Sequence, residues 1–148
     1  MSGGVGLRLL PRATLLEFDN SPSITLQVGP QALVEDVLKH DPPTPAELER
    51  AIDLVEDALT GLHLVPADGA RLVTADTRLL TLPGLNTNGA SLTRDDVELL
   101  FQRLASRALG MPAAAAELPQ SREEAAALLI LRECMHHLGF DRVGAAPA

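Results

Sequence analysis

Few residues in this chain have the type and spacing to do chemistry. Cys134 and His137, in "LRECMHHLG", stand three apart on a helical pattern and could share a face. Zinc needs about four ligands, and no second Cys/His cluster follows, so Cys134 reads as a small buried hydrophobe. His136 and His137 are adjacent and point about 100° apart on a helix. Near the end of that helix they suit its C-terminal dipole better than a metal.

His40-Asp41 could form an acid–base pair, yet Pro42 and Pro43 follow at once, and helix termination is the simpler role. Asp19, Asn20 and Ser21 offer oxygens to a cation, but a hairpin turn uses the same residue types. Asp95 and Asp96 complement a helix dipole, and Asp53, Glu56 and Asp57 read as a solvated face. The sequence has no nucleophile elbow, Walker loop, dinucleotide fingerprint or His-Glu-x-x-His. No catalytic residue, metal site or cofactor is therefore expected.

The elements that would position these groups alternate in type. Residues 1–12 read as a flexible N-terminus and 144–148 as a disordered tail, with one α+β domain over 13–143. Residues 13–18 and 23–29 are short apolar runs around a cluster of turn formers, hence a β-hairpin. A short helix is expected over 30–39, stopped by prolines. Thr44, Pro45 and Glu47 then make a capping-box start, and Leu48, Ile52, Val55 and Leu59 form one stripe. Residues 70–82 carry two apolar pairs and read as strand, and 83–91 as loop. Thr93 with Asp96, and Ser121 with Glu124, open two more helices, ended by Gly110 and Gly139. Phe140 can fold back on the last turn.

Composition narrows the functions. The chain has 148 residues, enough for one core, and aromatic residues are 2% of it, with no Tyr or Trp. Net charge is −8, from 12 basic and 20 acidic residues. Without a basic cluster or stacking platforms, nucleic acid is not an expected partner. A single cysteine fits a reducing compartment. Arg8, Pro11 and Arg12 break the apolar N-terminus, and no stretch is long enough to span a membrane, so a cytoplasmic location is expected.

The order and spacing of the elements resemble a known family. "LQVGPQALVEDVLKHDPPTPAELERAIDLVEDAL", "ARLVTADTRLLTL", "LTRDDVELLFQRLAS" and "ELPQSREEAAALLILRECMHHLGFDRV" follow one another as in the exopolyphosphatase/guanosine pentaphosphatase (Ppx/GppA) family, after its second phosphate loop. The resemblance implies a ribonuclease-H-like, actin-like half-domain, α+β or α/β, with a small sheet and about four helices. It corresponds to the second half of a two-half architecture with phosphate chemistry in the cleft.

The family's Asp-x-Gly-Gly-Gly-Ser loop has only a faint echo in Ser2-Gly3-Gly4. Where the family has Gly-Gly-Thr, this chain has Ala75, Asp76 and Thr77, so a carboxylate stands where an anion should sit. Three functions remain. The first is a non-catalytic domain that self-associates as a homodimer, with Leu128, Leu129, Leu131 and Met135 as interface candidates. The second is one subunit of a split Mg²⁺-dependent phosphohydrolase acting on polyphosphate or phosphorylated nucleotides, with a separate chain supplying the other half. The third is a sensor of a small anionic metabolite, with Thr74, Asp76 and Thr77 at its pocket.

Overall fold

The computed structural model describes residues 4–62, 70–85, 90–110 and 121–146. Strands β1 (Gly4–Leu10), β2 (Ala13–Glu17) and β3 (Ile24–Leu26) form an antiparallel meander. Helices α1 (Pro30–Asp36) and α2 (Pro45–Leu59) follow, then β4 (Arg71–Thr74) and a single helical turn, α3 (Thr77–Leu80). The chain continues through β5 (Ser91–Thr93), α4 (Arg94–Ala108), α5 (Arg122–Leu138) and β6 (Arg142–Ala145). The six strands form one mixed sheet in the order β3-β2-β1-β4-β6-β5, with β4 parallel to both β1 and β6. No helix among the described residues is long and apolar enough to cross a membrane.

Local signals set most helix starts. Thr44 accepts a bond from the Glu47 amide while Glu47 accepts from the Thr44 amide, and Thr93 and Asp96 repeat this exchange. Ser121 caps α5 by accepting from the Glu124 amide. Gly139 ends α5 at φ 79°, a conformation that favours glycine, and the Phe140 amide returns to the Met135 carbonyl. Gly29 is fixed by space: a Cβ there would lie 2.3 Å from the Leu10 carbonyl oxygen.

Four expectations about the chain's organisation are corrected. The flexible N-terminus is a strand from Gly4, held by pairing to both β2 and β4. The disordered tail contributes Gly144 and Ala145 to β6, and the Ala146 amide donates to the Thr74 carbonyl. Only 71–74 of the expected strand over 70–82 is strand, because Asp76 caps a helical turn that holds Leu79 and Leu80. The loop over 83–91 also ends early, at β5, and residues 86–89 lie outside the described residues.

The core is one continuous cluster built around α5. Every residue from 125 to 131 is fully buried, so this stretch of the helix is apolar on all sides because it is enclosed on all sides. Helices α1, α2 and α4 pack against it. Leu128, Leu129, Leu131 and Met135, expected at an interface, each have 0% exposure. Their breadth serves the chain's own core, and they offer a partner nothing.

The sheet buries one face. Leu7, Leu9, Leu16, Leu72 and Val143 point into the core. The alternate residues, Gly6, Arg8, Glu17, Arg71, Val73 and Arg142, lie on the opposite face, exposed or half-buried.

Candidate functional site

The turn after β4 holds the groups that the sequence singles out. Thr74, at the end of the strand, is buried; its hydroxyl donates to the Leu7 carbonyl at 2.9 Å and accepts from the Asp76 amide at 3.1 Å. Asp76 Oδ1 accepts from the Arg78 amide at 2.9 Å, the capping bond of α3. The Arg78 guanidinium then grips the same carboxylate with both ends of its fork, Nε to Oδ1 at 3.0 Å and Nη2 to Oδ2 at 2.8 Å. It also donates to the Leu9 carbonyl and to Glu123. The Asp76 carboxylate beside it holds the guanidinium charged, pushing its pKa above the ordinary value.

An open cavity of about 280 Å³ adjoins this turn, lined by Gly6, Arg8, Glu17, Thr74, Asp76 and Ala146 among others. Thr77 is not in its wall; it begins α3. The structure thus brings Thr74 and Asp76 together and leaves Thr77 out. The amides of Asp76, Arg78, Leu79 and Leu80 all have acceptors within the chain. Phosphate held by a turn needs such amides free and convergent, and here they bind the turn to itself. At this turn, Arg78 is the residue that the sequence did not single out. Its only signal was the Asp-x-Arg spacing after the strand.

The remaining candidates resolve simply. Cys134 is wholly buried, which pushes its thiol up to about 12 and leaves it unreactive. His40 pairs its Nδ1 with Glu47 at 2.7 Å, so it supports the start of α2 rather than joining Asp41 in acid–base work. Burial would raise the Glu47 carboxyl, but the bonds from His40 and from the Thr44 amide overcome this and hold it at about 2. Asp53 and Asp57 are exposed as expected.

Glu56 departs from that expectation. His137 Nε2 lies 3.1 Å from Glu56 and 3.2 Å from Oε1 of Glu133, one turn earlier on α5. Glu133 is fully buried. Its other oxygen accepts from Arg132, which also binds Glu98 at 2.8 Å and stacks 4.6 Å over the Phe101 ring. Burial pushes the Glu133 carboxyl up; the bond to His137 pulls Glu56 down, and the bond to Arg132 pulls Glu98 down.

The mixed sheet of six strands with five helices is the actin-like, ribonuclease-H-like class of fold. No family model matches the sequence, and no curated protein does. Solved structures do match. A Ppx/GppA family member from Aquifex aeolicus superposes on 96% of this chain with a TM-score of 0.73 and 16% identity, using 51% of its own length. The type II variant of the Aquifex aeolicus Ppx/GppA phosphatase gives 0.70 and 18% over 96% of this chain and 52% of its own. An exopolyphosphatase-like protein gives 0.68 and 13%, covering 98% and 56%. The chain therefore spans about half the length of the proteins it resembles, and at these identities the likeness is one of fold.

Proposed function

We propose that this half-domain is a non-catalytic module that pairs with a second copy of itself through the uncovered face of its sheet. The observation that carries this reading is the state of the parallel strands β1, β4 and β6. Parallel strands are ordinarily covered on both faces, and here the described residues cover only one. The open face is low in relief at Gly4 and Gly6, half-buried at Val73, and studded with Arg8, Arg71, Arg142 and Glu17. Both charge signs on one patch suit a two-fold contact, in which Glu17 of one copy can meet arginines of the other. This moves the interface from α5 to the opposite side of the sheet.

The non-catalytic part of the reading rests on the turn after β4. A carboxylate clamped by Arg78 fills the position at which the Ppx/GppA resemblance would place phosphate, which weighs against a split phosphohydrolase. A second reading, a sensor of a small anion, draws support from the cavity beside Arg8. Charge reversal discriminates between them. Arg71→Glu with Arg142→Glu should convert a dimer into a monomer of unchanged circular dichroism, whereas Leu99→Glu on the helical surface should not. Inorganic phosphate and pentaphosphate nucleotides should leave the melting temperature unchanged; a rise would favour the sensor. Phosphate release from polyphosphate with Mg²⁺ would overturn the non-catalytic reading.

A further inference from the structure

Glu56, Glu133 and His137 come from two helices, and their ligand atoms lie within 4.8 Å of one another. Glu133 and His137 are four apart on α5 and so share a face, while Glu56 reaches them from α2. Tetrahedral ligands at about 2.0–2.1 Å from zinc stand about 3.3 Å apart. The separations of 3.1 Å and 3.2 Å from His137 Nε2 to the two carboxylates are close to that value.

A second observation is independent of this spacing. Oε1 of Glu133 is a buried oxygen with no hydrogen-bond partner, and it lies on the side of the carboxylate that approaches His137, at 3.2 Å from its Nε2. A buried carboxylate oxygen left this way is costly unless something compensates it. The composition agrees: three carboxyl groups, Glu56, Glu133 and Glu98, stand against one guanidinium, that of Arg132, a surplus of acid that a divalent cation would offset. Arg132, itself anchored to Glu98, holds the far oxygen of Glu133 and so orients the near one. His137 and Glu56 are partly exposed, which leaves a route for the ion and room for a water as fourth ligand.

We propose that Glu56, Glu133 and His137 form a zinc site that clamps α2 to α5. One imidazole and two carboxylates make a donor set suited to Zn²⁺, which prefers nitrogen-containing sets, and not to Mg²⁺, which keeps its water and oxygen ligands. The site lies among the helices, and the turn after β4 takes no part in it.

Calorimetric titration of the metal-free chain with ZnCl₂ tests this directly. One ion per chain is expected, with a higher melting temperature in excess Zn²⁺ and no response to Mg²⁺. Glu56→Gln and His137→Gln should each weaken binding by at least about tenfold, whereas His136→Gln should not. Both altered side chains are partly exposed, so the variants should fold, and circular dichroism checks this. Co²⁺ should give the visible absorption of a tetrahedral site, lost in His137→Gln. No saturable binding, or binding untouched in the Glu56→Gln/His137→Gln double variant, would overturn the proposal.

Discussion

Asp76 occupies a turn that the family resemblance reserves for an anion, and Arg78 is what makes a carboxylate tolerable there. The guanidinium neutralises it, and the capping bond to the Arg78 amide gives it a structural use. Asp76→Ala should lose that cap and leave Arg78 half-partnered, at a cost of about 1–2 kcal/mol in urea unfolding. It should not create affinity for inorganic phosphate, because, of the turn's bonded amides, only that of Arg78 is freed, while those of Asp76, Leu79 and Leu80 keep their acceptors. A second residue-scale effect is acid sensitivity at Glu47. Its carboxyl is held at about 2 against an ordinary value of 4.5. A depressed folded-state pKa contributes stability that is present above the unfolded value and lost as pH falls toward the folded one. Unfolding followed between pH 4.5 and pH 2 should therefore show a steeper loss for the native chain than for Glu47→Gln.

At the scale of elements, α5 carries the fold. Leu131→Ala opens a void at a fully buried position on it and should cost about 2–5 kcal/mol, read as a drop in the urea midpoint. Gly29→Ala should also destabilise, since its methyl group would meet the Leu10 carbonyl oxygen. Helix starts were legible in the sequence because their signals are local: Thr44, Thr93 and Ser121 each cap where the spacing placed them. Strands β1 and β6 were not, since Gly4, Gly6 and Gly144 are poor strand residues whose strand state depends on pairing with neighbours that include the distant β4. The pair Leu79-Leu80 fits strand or helix equally, and Asp76 decided for helix. The apolar breadth of α5 was visible, but it means either an interface or a central helix, and only packing separates these. Thr74 and Asp76 were found through the resemblance. Arg78, Glu56 and Glu133 were not, because their roles arise from contacts that spacing along one element does not display.

At the scale of the molecule, the described residues pack helices against one face of the sheet and none against the other. Among the described residues the helices gather around α5 on the packed side, which leaves the other side of β1, β4 and β6 as the surface on which the proposed pairing would take place. A zinc clamp between α2 and α5 would stiffen the packed side without touching the bare one, so association and metal binding should vary independently. Light scattering of the 148-residue chain across a hundredfold range of concentration, before and after Arg71→Glu with Arg142→Glu, tests the pairing most directly. Twice the 15.7 kDa monomer mass, falling to 15.7 kDa in the variant, is the expected result. A native chain that stays at 15.7 kDa throughout, or a dimer indifferent to both substitutions, would contradict it.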